Sequence, residues 1–399
     1  MVTSGSSRWS RRFVVLSAGY FVLWRLGAVL GISRRTEVIL ALFGFVFHMV
    51  FGMGYLLIPS YFERVLTAKW SPAAHLGLTG FGTGLLALGS SPATPLFIEQ
   101  VGATAWCLGV VLFLTTLLWT IRGNLMGRDT GTSVNRAAFQ WVDQYANLFV
   151  PIALAYLALG SYELLARVST LPRVMDGYFP RITHLLAAGV AALLIFALGA
   201  RLGPRFFNVP APKILVGVIL PAGALGPVLI ATGLGGGRLF IVGALLEATA
   251  VLGFAVLFVV LFVRSDRQKI GFFGVLGGVL SGVFGVSLGL IFAFGYMTGA
   301  MISAHLQLNL LGFLGLTIVG FSLQFFPPTV GRFRGANERT ALVEIFSLVC
   351  GLLILVIGYL GQSALLINLG NILALAGALV YGYLIIRLII TIGARQSRT

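Results

Sequence analysis

Apolar residues run along this chain in long blocks, and short clusters carrying arginine, proline and glycine separate them. A block of eighteen or more apolar residues is long enough to cross the hydrocarbon core of a bilayer as a helix. Dividing the blocks at charged, proline and glycine-rich breaks predicts spans over 12–32, 36–58, 71–90, 97–121, 144–167, 180–202, 212–233, 238–264, 271–298, 302–326, 342–361 and 365–393. The expected fold is an all-α integral membrane protein, a single twelve-helix transmembrane domain over 1–399.

Composition agrees, with 58% of the 399 residues apolar, 10% charged and a mean hydropathy of +1.00. The net charge of +16 belongs to short loops between spans rather than to one soluble face, so topology and not nucleic acid explains it. With the N-terminus placed in the cytoplasm, most basic residues fall on that side, from Arg8, Arg11 and Arg12 to Arg395 and Arg398. Arg34, Arg35, Arg167, Arg173, Arg181 and Arg238 fall on the other. This bias predicts a multi-pass cell-membrane protein with both termini cytoplasmic and the lipid bilayer as its main partner. The first span has no small-residue cleavage site at its end and reads as a retained helix. Cys107 and Cys350 stand inside apolar segments without a partner at ligand spacing, which argues for small core residues.

Two spans share one template: a histidine near the start, a glycine fifteen residues later and a proline beyond, His184…Gly199…Pro204 and His305…Gly320…Pro327. The second span repeats its end as Gly54…Pro59, but Ile39 stands at the histidine position. These spans lie four apart in order, which predicts a pseudo-threefold repeat of four helices. The ninth span carries Gly274, Gly278, Gly282, Gly285 and Gly289 at spacings suited to close helix packing.

The stretch AHLQLNLLGFLGLTIVGFSLQFFPP, 304–328, resembles the tenth helix of the heme-copper oxidase subunit I superfamily, above all its cbb3-type and nitric-oxide-reductase-like branches. His305, Gly312, Phe313, Gly315, Gly320 and Pro327 match that pattern in register. THLLAAGVAALLIFALGARLGPRF similarly resembles the sixth helix, with His184 at the position of a copper-ligating histidine. The resemblance implies a twelve-helix oxidase-like fold and one b-type heme bound by His305, with His184 as second axial ligand or on the distal side. Electron transfer, nitric-oxide handling or gas sensing would follow, with a small electron-carrier protein or accessory subunit as partner. The departures from the family are Gln307 in place of a second histidine and a seventh span without histidine, so neither the low-spin heme nor copper is expected. One imidazole does not make a copper site, which needs about three matched ligands. The residues by themselves leave open that both histidines are core groups bonded to Asn309, Gln307 or Thr183 in a structural relict that binds no metal.

Ionisable groups within a bilayer are costly and raise a functional question wherever they occur. Glu247 and Glu344 are the most interior carboxylates and candidates for a proton path. They support a second reading, a proton-coupled transporter with a helix broken at Pro221 and Pro227. Arg25 in the first span is expected to snorkel or pair with a carboxylate. His48 reads as a bundle histidine, His75 as a residue at the membrane interface, and Asp143 and Gln144 as caps opening the fifth span. P-loop, HExxH, GxSxG and CxxCH motifs do not occur, and GLGGGR at 233–238 reads as a turn.

Overall fold

The computed structural model describes residues 4–267 and 269–396, and every regular element among them is helical. Arg398 lies outside the described residues. In chain order the long helices are α1 (Arg8–Val29), α2 (Arg34–Tyr61), α3 (Ser71–Gly89), α4 (Leu96–Asn124), α5 (Ala137–Val168) and α6 (Phe179–Phe207), followed by α7 (Lys213–Gly233), α8 (Arg238–Arg264), α9 (Gly271–Ala293), α10 (Gly299–Val330), α11 (Glu338–Leu360) and α12 (Ala364–Gly393). All but α3 are long and apolar enough to cross a membrane, giving 11 candidate spans among the described residues. The 19-residue α3 falls short because Ser71, His75, Thr79 and Thr83 dilute its apolar content. The chain is an all-α protein of the membrane class. In lipid this is the architecture that satisfies every backbone donor and acceptor within its own segment.

The predicted spans overlie these helices, with two corrections. α5 starts at Ala137, well before the expected 144, because AAFQWVDQYAN is amphipathic and buries Val142, Asp143, Ala146 and Asn147. Asp143 and Gln144 therefore sit inside the helix and do not cap it. Pro59 and Pro204 likewise lie within α2 and α6 rather than beyond them, whereas Pro327 follows the last α-helical turn of α10, which ends at Phe325. α7 runs unbroken through both Pro221 and Pro227, so the interruption expected of a transporter helix is not found there.

The chain packs as two compact units. One is built mainly from Val50–Arg267, and the other from Arg11–Met49, Gln268–Ile291 and the chain from Tyr296 onward. In the second unit the glycines of α9 do what their spacing predicts. A Cβ on Gly274 would come within 3.1 Å of Gly320 in α10, and one on Gly278 within 2.9 Å of the Thr317 backbone nitrogen. Only hydrogen at these positions lets the two backbones approach so closely.

Three helices depart from α geometry in the same way. π-helical turns occupy Ile39–Val46 in α2, Ala187–Ala192 in α6 and Leu308–Leu316 in α10. Such turns widen a helix by one residue and break the regular ladder. In each, a glycine admits a side chain from the preceding helix. A Cβ on Gly44 would lie 2.7 Å from the Tyr20 ring of α1, and one on Gly189 would lie 2.6 Å from the Tyr156 ring of α5. At Gly312 the side chain admitted is Ser281 of α9. Nothing in the hydrophobic pattern marks these turns, because they alter the helical period locally without changing which residues are apolar.

Candidate functional site

Each template histidine stands three residues before a π turn, and its ring is oriented by a backbone carbonyl. His305 on α10 reaches across to α9, where its Nδ1 lies 2.9 Å from the Gly285 carbonyl oxygen. The His184 Nδ1 lies 2.7 Å from the Pro180 carbonyl one turn earlier in α6. A carbonyl only accepts, so each Nδ1 carries a proton at this contact. This is how an imidazole is prepared to donate through Nε2 to iron or another acceptor. Beside His305 the α9 residue is Gly289, where an added Cβ would sit 3.4 Å from the ring. Asn309 completes the surroundings, donating through Nδ2 to the His305 carbonyl at 2.8 Å. Half-buried His184 belongs to the first unit and half-buried His305 to the second.

Two positions before Asn309, Gln307 is committed to a polar network inside the second unit. Its Nε2 donates to Glu37 Oε1 at 2.6 Å, and its Oε1 accepts from Arg25 Nη1 at 3.2 Å. Arg25 is fully buried, donates through Nη2 to Asn371 Oδ1 at 2.6 Å, and pairs with Glu37 at 3.8 Å. Trp24 Nε1 donates to the same Glu37 oxygen at 3.2 Å. Four helices thus meet on one guanidinium, and of the two expectations for Arg25 the carboxylate pair is the one found. Alongside lie Phe21 and Phe45, both fully buried and stacked at 4.3 Å, with Tyr381 edge-on to Phe21 at 5.8 Å. Both ends of the Gln307 amide are thus engaged within this network.

The remaining histidines are packed within their bundles. His48 Nδ1 lies 2.7 Å from the Gly44 carbonyl, in the π turn of α2, and its ring stacks on Tyr20 at 5.3 Å. His75 is fully enclosed, not interfacial as expected. Its Nδ1 is 3.1 Å from the Tyr55 hydroxyl, and Phe51 and Phe113 flank the ring at 4.4 and 5.1 Å. The polar content of α3 is thereby used inside the first unit.

The two candidate carboxylates also fall in different units. Glu247 on α8 faces α7, and a Cβ on Gly226, the residue before Pro227, would lie 2.9 Å from its Oε2, which has no hydrogen-bond partner among the described residues. Glu344 on α11 is fully buried, and neither of its oxygens has a partner among the described residues.

A second ionic cluster escaped the sequence reading. Arg201, expected in a cytoplasmic segment, is 3% exposed inside α6. Its guanidinium donates to Asn147 Oδ1 at 2.6 Å, to the Tyr61 carbonyl at 3.1 Å and to the Thr130 carbonyl at 2.7 Å, and it lies 3.9 Å from the Tyr61 ring centroid. Asp143 is its counter-ion at 3.5 Å, also pairs with Arg205, and accepts from Thr132 at 2.5 Å. The network ties the loop between α4 and α5 to α2, α5 and α6. Outside the spans, the Tyr178 backbone N–H holds the Asp176 carboxyl below the ordinary aspartate range, with Arg181 adding to the effect.

Among the described residues no three His, Cys, Asp or Glu side chains gather closely enough to hold a metal ion. The chain matches no family model, and no curated protein matches it.

Proposed function

We propose that this chain is a membrane protein of the heme-copper oxidase subunit I type that holds one b-type heme through His305. The reading is carried by the helix-ten pattern around His305 and is supported by its orientation, with Nδ1 against the Gly285 carbonyl and Gly289 packed beside the ring. His184 is oriented by a carbonyl in the same way within its own unit. Bound there, heme would supply one-electron chemistry or capture of a small gas such as nitric oxide, serving electron transfer, nitric-oxide handling or gas sensing. Reduction of oxygen is not assigned, since the residues present do not fit copper.

The reading includes twelve spans with α3 among them, both termini on the arginine-rich cytoplasmic side of the cell membrane, and a threefold repeat of four helices. The repeat is supported by the π turns in α2, α6 and α10 and by the glycine of each that admits a side chain from the helix before it. An electron-carrier protein or accessory subunit is the partner this chemistry calls for.

Protein purified from heme-supplied cells is expected to show a Soret band that is lost in His305→Ala. Absence of the band, or a band unchanged in His305→Ala, would overturn the heme reading and leave a structural relict of the fold.

Proton-coupled transport is the second reading, favoured by the Glu247 oxygen that faces α7 without a partner among the described residues. It predicts that Glu247→Gln abolishes uptake driven by a pH gradient in proteoliposomes, and uptake equal to wild type would end it.

A further inference from the structure

Glu344 is the least compensated group in the described part of the molecule. On α11 it stands between Ala341 and Ile345, which with Leu323 of α10 and Leu384 of α12 form an apolar cluster of the second unit, each at most 4% exposed. Neither carboxyl oxygen receives a hydrogen bond, and no cation pairs with it among the described residues. Such burial of an ionised carboxylate without a partner is prohibitively costly, and the group takes up a proton instead. Tyr381 supplies another buried polar atom without a partner. α12 packs against this part of α11, where a Cβ on Gly377 would lie 3.2 Å from the Glu344 carbonyl oxygen, and Tyr381, fully buried with a hydroxyl that has no partner by geometry, stands one turn further along α12. Ser322 of α10 is committed to the Val319 carbonyl at 2.8 Å. Tyr381 is thus the ionisable group that α12 places beside this part of α11, while the neighbouring α10 residues Ser322 and Leu323 are neutral.

We propose that Glu344 and Tyr381 form a proton-binding site within the α10–α11–α12 bundle, in which Glu344 holds one exchangeable proton at neutral pH. Access is from the α11 end that carries Arg339. Glu344 is six residues from the helix start at Glu338 and sixteen from its end at Leu360, or roughly 9 Å against 24 Å at 1.5 Å per residue. On this path a proton passes about two helical turns to reach the carboxyl, and Tyr381 is the group placed to share it. The site uses no cofactor and stands apart from the heme reading, so neither result decides the other.

Infrared spectroscopy of the full-length protein in detergent tests the site. Wild type minus Glu344→Gln is expected to show one protonated-carboxyl C=O band at neutral pH, shifting to lower frequency after transfer to deuterium oxide. Tyr381→Phe is expected to keep the band but move its frequency, because the near-isosteric change removes only the hydroxyl. A difference spectrum with carboxylate bands alone would overturn the proposal, as would a band that never shifts in deuterium oxide. A band present only when sodium is omitted would mark a sodium site and overturn the proton assignment. An unmoved band in Tyr381→Phe would remove Tyr381 from the site.

Discussion

Arg25→Ala is expected to lower stability by about 3 to 5 kcal/mol, the usual effect of removing one partner from a buried ion pair. The guanidinium connects α1, α2, α10 and α12, and its loss leaves the Glu37 carboxylate, the Gln307 carbonyl oxygen and the Asn371 carbonyl oxygen without the donor they share. Three acceptors cannot recruit water where the surrounding side chains are closed, so each keeps part of its desolvation penalty. Arg25→Lys is expected to recover only part of the loss, because an ammonium lacks the planar fork that serves Gln307 and Asn371 at once. The denaturation midpoint in detergent checks both. A midpoint for Arg25→Ala within about 1 kcal/mol of wild type would show that the network contributes little.

A comparable loss is expected for Asp143→Ala in the other unit. There the stranded groups are cations, Arg201 and Arg205, and Arg201 is 3% exposed with Asp143 as its paired carboxylate. The expected cost is again about 3 to 5 kcal/mol, with a local signature that Arg25→Ala lacks. Arg201 and Thr132 tie the α4–α5 loop to the helices, so limited proteolysis should cut that loop faster in Asp143→Ala before the rest of the chain opens. Asp143→Asn keeps an acceptor for Thr132 and should fall between the two. Cleavage at the wild-type rate would count against the tie.

The two networks differ in how far they could be read from sequence. Arg25 stands alone inside an apolar span, so a partner for it was foreseeable, while the identity of that partner was not. Glu37, Gln307 and Asn371 lie on helices distant in sequence, and only folding brings them to one guanidinium. Gln307 was legible as a departure from the family pattern, but its commitment to Glu37 was not. Asp143 was misread because a charge near a span boundary suits a helix cap, and the burial of Arg201 at the end of its predicted span gave no sign in the sequence. The amphipathic start of α5 pulls Asp143 inward. His75 was misplaced for a related reason: a polar residue near a helix end suggests the interface, while a ring of Phe51, Tyr55 and Phe113 can enclose it.

Hydrophobic pattern alone determined that this is an all-α membrane protein and located most of its helix ends within a few residues, the amphipathic start of α5 excepted, because the bilayer leaves an apolar segment of that length few other structures. It also singled out His184, His305, Glu247 and Glu344, since polar groups are rare enough in such segments to be noticed one by one. Tertiary structure decided the rest. The π turns, the carbonyls that orient each histidine, the commitment of Gln307 to Glu37 and Arg25, and the lack of a partner for Glu344 among the described residues all depend on which helix faces which. Contacts between helices far apart in sequence set those relations, and the period of a single helix carries no record of them.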